Sequence, residues 1–245
     1  MSARLLDAGD AAVTIEFGDH ISGELVARVV ALERALDAAR ARGELPGVVE
    51  TVPTFRSLTV LYDPLRTQRA LLDPALLALL QQADRAPPAP SRRWRLPVCY
   101  GEGFGADLAE VAAATGLAPE AVVRLHSGTE FSVYMLGFMP GFAFMGDLPP
   151  ALAVPRRREP RLRVPAGSVA ITGSLSAVYP WESPGGWSLL GCCPVPLFDA
   201  AAATPALLAP GDRVRFEPVS AARFAALQAE VRAGAFASAS LLEAA

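Results

Sequence analysis

Met135-Leu-Gly-Phe-Met-Pro-Gly-Phe-Ala-Phe-Met-Gly146, Pro155-Arg-Arg-Arg-Glu-Pro-Arg161, Val164-Pro-Ala-Gly-Ser-Val-Ala-Ile171 and Val178-Tyr-Pro-Trp-Glu-Ser-Pro-Gly-Gly-Trp187 follow one another within residues 126–191. Between residues 164 and 211 only Glu182 and Asp199 are charged, yet glycine and proline interrupt the apolar run every few positions. A membrane helix needs about 20 continuous apolar residues, so this stretch is not one. Short buried strands joined by tight turns, as in a barrel or sandwich, fit instead. The segment 137–146 is apolar and aromatic but hinged by glycine and proline. Such a loop is costly to leave in water and lines a pocket or a partner surface.

Upstream, Val13, Ile15 and Phe17 alternate with polar residues, the period of a half-buried strand. Ser22 caps a helix whose apolar face is Leu25, Val29, Leu32 and Leu36, with Ile21 placed to staple against Val26. Gly43 and Pro46-Gly47 end it. Strands are predicted over 48–52 and 57–62, then a leucine-rich helix opening at Asp73-Pro74. Strand, helix, strand, strand, helix is most of a split β-α-β unit, so a small α+β domain is expected over residues 1–88. The proline-rich stretch 86–93 marks the boundary. Beyond it, over 89–245, come a strand (95–100), two short helices (107–115 and 119–125), a strand (130–136) and the charge-poor β region. A closing turn and strand (210–216), a helix (220–232) and a frayed tail complete the chain.

The 245 residues are 52% hydrophobic with net charge -3. That balance offers no electrostatic case for nucleic acid or an anionic membrane. Every one of the 22 Lys+Arg residues is arginine, which excludes Schiff-base and lysine-nucleophile chemistry. Cys99, Cys192 and Cys193 are odd in number with two adjacent, which argues against a disulfide framework and for a reducing compartment. With His20 and His126 the only histidines, no metal site is expected. The N-terminal residues lack the apolar run of a signal peptide, so a cytoplasmic location is expected.

Gly101-Glu-Gly-Phe-Gly105 lacks the full spacing of a nucleotide loop and reads as a turn. His126, at a predicted helix end, is either a dipole partner, an exposed tip or a general acid/base. The run Arg156, Arg157, Arg158, Arg161 and Arg163 is stiffened by Pro155, Pro160 and Pro165. It reads as a solvated charge run or as a fixed fork for a carboxylate or phosphate. Tyr179 and Trp187 are core aromatics or pocket walls.

Leu125-His-Ser127, Leu136-Gly-Phe-Met-Pro-Gly-Phe142, Pro155-Arg-Arg157, Glu159-Pro-Arg161, Val164-Pro-Ala-Gly-Ser-Val169, Tyr179-Pro180, Pro184-Gly-Gly-Trp187, Leu197-Phe-Asp199 and Pro210-Gly-Asp212 resemble the family of bacterial 5-oxoprolinase B subunits. That family is also described as the Kip inhibitor or allophanate hydrolase subunit 1 family, with a carboxyltransferase C/D-type domain. Pro46-Gly-Val-Val-Glu50 extends the likeness into the first half.

The resemblance implies an α+β N-terminal domain followed by a cyclophilin-like β-barrel. It also implies two partners, a C-like subunit of related fold and an A subunit. Together these open 5-oxo-L-proline to L-glutamate, with ATP held by the complex. The resemblance puts substrate or anion binding on Arg157, Arg161, Tyr179 and the backbone around Gly167 and Ser168, with His126 a catalytic candidate. Phe138, Pro140, Gly141, Phe142, Pro184, Gly185, Gly186 and Trp187 become the pocket or partner loop. The Kip name implies a second function, inhibition of a sensor histidine kinase. Barrel likeness alone raises a prolyl isomerase, ranked last because fold does not carry function. Two departures stand out. Leu175-Ser176-Ala177 replaces the family's Gln-Thr-Gly, removing an amide, and Ala143-Phe144 replaces Pro-Tyr.

Overall fold

Period-two alternation in residues 12–16 and 57–62 puts Val13, Ile15, Leu58, Val60 and Tyr62 on one buried sheet face. The computed structural model describes residues 3–87, 90–101 and 103–243, which fall into two compact units, 1–90 and 91–245. The expected boundary at residues 88 and 89 lies outside the described residues.

The first unit runs β1 (Arg4–Asp7), β2 (Ala12–Glu16), α1 (Gly23–Ala41), β3 (Val48–Pro53), β4 (Ser57–Tyr62) and α2 (Arg69–Arg85). The sheet order is β1-β2-β4-β3, every neighbouring pair antiparallel, so β4 lies between β2 and β3 as a split β-α-β unit requires. Ser22 caps α1 by accepting from Leu25 N at 3.3 Å. Ile21, expected as a staple, is instead half exposed. The helix predicted from Asp73 begins earlier, at Arg69, and takes Pro74 into its second turn. Proline there removes one backbone donor, but Arg69 forks onto Asp73 at 2.6 and 3.0 Å and holds the extra turn.

The second unit contains β5 (Arg93–Tyr100), α3 (Leu108–Thr115), α4 (Pro119–Gly128), β6 (Glu130–Leu136), β7 (Ala143–Gly146), β8 (Arg161–Val164), β9 (Ser168–Thr172), β10 (Leu175–Val178), β11 (Ser183–Gly185), β12 (Ser188–Cys192), β13 (Arg213–Pro218) and α5 (Ala221–Arg232). Seven strands close into a barrel in the order β10-β7-β6-β13-β5-β12-β9, while β8 and β11 pair as a separate ribbon. The interior holds Leu96, Val98, Phe131, Val133, Met145, Val169, Ile171, Leu190 and Phe216. Residues alternating with these on β9, β10 and β12 face outward, yet Ala170, Ala177 and Leu189 are still buried. Phe142, Val164, Tyr179 and Trp187 pack over them as a second apolar layer.

Among the described strands only β13 runs parallel to a neighbour, β5; its other neighbour, β6, is antiparallel. The Pro210-Gly-Asp212 turn that introduces β13 is pinned by its aspartate. Asp212 is 3% exposed and accepts from Arg92 at 2.9 and 2.7 Å and from the Trp94 indole at 2.9 Å. The tail expected to fray is docked instead. The Glu243 amide donates to Arg93 O at 2.9 Å and its carboxylate accepts from Arg95.

Candidate functional site

His126 lies near the end of α4 and is wholly buried. Its imidazole stacks on Phe216 of β13, with ring centroids 4.7 Å apart, and lies against Phe131 of β6. Nδ1 is 2.8 Å from the Tyr100 hydroxyl and Nε2 is 2.9 Å from Ser176 Oγ. Ser176 donates onward to Ala170 O at 3.3 Å. One donor order satisfies every group: Tyr100 O–H to Nδ1, Nε2–H to Ser176, Ser176 O–H to Ala170 O. It requires a neutral ring. Burial accordingly lowers the His126 pKa to about 3. Both nitrogens are engaged inside the barrel, so no ring atom is presented at the surface, as an acid/base facing substrate would need.

Arg157 and Arg161 do come together, but around a carboxylate of this same chain. Asp107, the residue before α3, is 2% exposed. Its Oδ1 accepts from Arg157 Nη1 at 3.2 Å and from Arg161 Nη2, while Oδ2 accepts from the Leu189 amide at 2.7 Å. Arg157 also donates to Glu110 at 2.8 Å. That bond and the nearby Asp107 charge raise the pKa of Arg157 further. Sequence reasoning missed Asp107 and Glu110, which lie about 50 residues from their partners. Among the described residues, Arg157 Nε and Arg161 Nη1 are buried and have no hydrogen-bond partner. Arg163 pairs with Glu182 outside this cluster.

The amides of Gly167 and Ser168, expected as anion donors, are already used. Gly167 N donates to Tyr179 O at 2.7 Å and Ser168 N to Pro165 O at 3.2 Å. They shape a turn. Gly167 has φ +83, and a Cβ there would sit 2.4 Å from Cys193 O, so only glycine fits.

The expected pocket aromatics pack together. Phe142 is 1% exposed and meets Tyr179 (5.2 Å) and Trp187 (5.8 Å) edge to face. Gly185 lies so near the Tyr179 hydroxyl that a Cβ would come within 2.5 Å of it, and Gly186 crowds the Arg156 side chain similarly. Gly141 has φ +79 and backs onto Phe198. Phe138 is different: it is 66% exposed and its φ is +68, a conformation uncommon for a bulky residue. Pro140, also exposed, accepts from the half-exposed Trp181 indole at 3.2 Å. Phe138, Pro140 and Trp181 therefore crown the layer that Phe142, Tyr179 and Trp187 fill, with Pro184 exposed on the neighbouring ribbon. The two departures from the family pattern land in this same layer, where Leu175 packs partly buried and the Phe144 ring meets Trp187 at 5.9 Å.

An open cleft of about 490 Å³ lies elsewhere, lined by Arg95, Arg215 and residues 240–243, and includes none of the expected site residues. Among the described residues no group of His, Cys, Asp and Glu is placed to hold a metal ion, and no helix is long and apolar enough to cross a membrane. Two amides of the glycine turn after β5 are bound within the turn itself. Phe104 N and Gly105 N both donate back to Gly101 O, at 3.0 and 2.7 Å.

Residues 3–208 match the family described as carboxyltransferase domain, subdomain C and D. The chain is 42% identical over 218 residues to the 5-oxoprolinase B subunit of Escherichia coli O157:H7, covering 88% of this chain and 96% of that protein. It superposes on the crystal structure of TTHA0988 with a TM-score of 0.74 at 42% identity, over 85% of this chain but only 40% of that one. It superposes on the Kluyveromyces lactis urea carboxylase with a TM-score of 0.74 at 19% identity, over 96% of this chain and 23% of that one, a likeness of fold alone. With the family match over residues 3–208 and kinship over nearly its whole length, the chain belongs to the family of 5-oxoprolinase B subunits, built on carboxyltransferase C/D-type domains.

Proposed function

We propose that the chain is a non-autonomous subunit of an ATP-dependent hydrolase complex that opens 5-oxo-L-proline to L-glutamate. The carrying observation is the 42% identity that spans 96% of a relative named as the B subunit of 5-oxoprolinase. In this reading the two units are separate domains, the second is a cyclophilin-like barrel, and the protein works in the cytoplasm. Its partners are a C-like subunit, itself a barrel, and an A subunit. A lactam is a poor electrophile, and activation of its carbonyl oxygen by ATP makes it attackable by water. In this reading ATP is held by the complex and not by this chain alone, which has no lysine and whose Phe104 and Gly105 amides donate back to Gly101 O.

This chain supplies a surface and a pair of donors. Phe138, Pro140 and Trp181 give a partner barrel an apolar landing. Arg157 and Arg161, with side chains 28% and 26% exposed and both held by Asp107, form a guanidinium pair that suits a substrate carboxylate. The test is reconstitution. The chain is co-expressed with a C-like partner, co-purification is scored, and glutamate release is assayed after the A subunit is added. The isolated chain releases none; robust turnover by it alone overturns the proposal. A stable pair that still releases no glutamate in the full mixture points to a changed substrate through Leu175.

A further inference from the structure

Cys99 and Cys192 are 93 positions apart in the sequence and stand directly opposite one another across the antiparallel β5–β12 pair. Opposite residues in such a pair have Cα atoms about 4.5 or 5.5 Å apart, and both values fall within the roughly 4.4–6.8 Å a disulfide spans. Their side chains leave the barrel on the same, outer face. On β5 the neighbours Val98 and Tyr100 point inward, to the core and to His126. On β12 a bulge at Leu190 shifts the register, so Gly191 pairs with the inward-facing Val169 and Cys192 with Ser168 beside it, which turns Cys192 outward. Accessibility is divided between the two thiols: Cys192 is partly exposed and Cys99 is 5% exposed.

We propose that Cys99 and Cys192 are a redox modification site, closed to a cross-strand disulfide by a small-molecule disulfide such as oxidised glutathione. The Cys192 thiolate attacks one glutathione sulfur, breaking that S–S bond and releasing one glutathione. Cys99 then attacks the Cys192 sulfur and expels the second. The protein loses two electrons and two protons, and one glutathione disulfide becomes two thiols. Cys193, one residue past the end of β12, is buried in the core and is no competitor.

Two features give the bond a consequence. The β5–β12 register consists of two residue pairs, against six between β5 and β13, so the disulfide staples a short seam of the barrel. Cys192 Sγ also rests 3.8 Å from Ala166 O, and a Cβ on Gly167 would come within 3.0 Å of it. Oxidation therefore acts directly on the turn 165–168, one of the segments that carry the family resemblance. Burial, and then the neighbouring Cys99, push the Cys192 thiol up to about 11, so the exchange is slow at neutral pH and faster in mild alkali.

The full-length protein is incubated with oxidised glutathione at about pH 8.5, quenched with a maleimide, and analysed by intact mass and non-reducing peptide mapping. The expected product has lost two hydrogens, about 2 Da, contains a Cys99–Cys192 linked peptide, and unfolds at higher urea than the reduced protein. Cys99→Ser halts at a glutathione adduct on Cys192, and Cys192→Ser gives no linked product. Should either variant fail to fold, the wild-type peptide map decides. A link between Cys192 and Cys193, a bond between two chains, or a wild type that halts at the adduct overturns the assignment.

Discussion

Acid should loosen the barrel through one residue. His126 has a pKa of about 3 in the folded chain against an ordinary 6.5. The unfolded chain therefore binds a proton that the folded chain refuses. The stability this supports is fully present above about pH 6.5 and is lost as the pH falls toward 3. At about 1.36 kcal/mol per pH unit, the loss is about 2 kcal/mol by pH 5, with a ceiling near 5 kcal/mol. The contacts of the ring, Tyr100, Ser176, Phe131 and Phe216, carry no charge between about pH 5 and 7.5 that could offset this. Carboxylates elsewhere also weaken in acid, so the measurement must be a difference. In His126→Gln the amide can donate to Ser176 and accept from Tyr100 but cannot titrate. Urea unfolding followed by tryptophan fluorescence reports the second unit alone, because Trp94, Trp181 and Trp187 all lie in it. Between about pH 7.5 and 5 the wild type should lose about 2 kcal/mol more than the variant. Equal losses would refute a buried neutral imidazole, and a larger loss in the variant would reverse the sign of the reasoning.

Other outcomes follow from the same geometry. Arg157→Ala and Arg161→Ala should abolish activity of the reconstituted complex and also cost on the order of 1–3 kcal/mol of stability, because each leaves the buried Asp107 short of a partner. Arg156→Ala and Arg158→Ala should be milder in both assays; equal small effects at all four positions would mark the run as merely solvated. Gly167→Ala should destabilise the barrel by about 2 kcal/mol or more, given φ +83 and the contact with Cys193 O, as thermal unfolding would reveal. Phe138→Gly should raise the stability of the isolated chain by about 1 kcal/mol by relieving its left-handed backbone, and should weaken capture of a C-like partner in a pull-down. Limited proteolysis should cut first within residues 86–93; early cuts inside 164–211 would contradict a buried barrel there.

Local patterns carried the reading of this fold a long way. The Ser22 cap, the alternation of Val13 and Ile15, and the Pro119 helix start all involve neighbours within one turn or one strand, so their chemistry is visible in the sequence. The same holds for the charge-poor run, where burial on both the inner barrel face and the outer layer removes the polar half of the alternation. What escaped depends on distant partners. Asp107 reads as the start of a helix until Arg157 and Arg161 arrive to bond it. Glu243 reads as a loose end until Arg95 holds it. Pro74 is a local exception: it looks like a first-turn residue unless Arg69, four residues before Asp73, is seen bridging to it. That Arg157 and Arg161 lie together and that Phe142, Tyr179 and Trp187 pack together is a finding of the structure, as is the carboxylate the arginines grip.

The position of β13 between β5 and β6 has a consequence during synthesis. Arg92 and Asp212, the pair that pins the closing turn, are 120 residues apart in the chain. Until the ribosome has released residues 213–218, β5 and β6 each present an open edge of unpaired amides and carbonyls. At about 5–20 residues per second, emergence of that segment lags β5 by roughly 6–24 seconds. Through that interval the nascent chain offers two templates for strand addition by another chain. Its yield in cells should accordingly depend on chaperone supply, and any chain that stops short of residue 213 should aggregate.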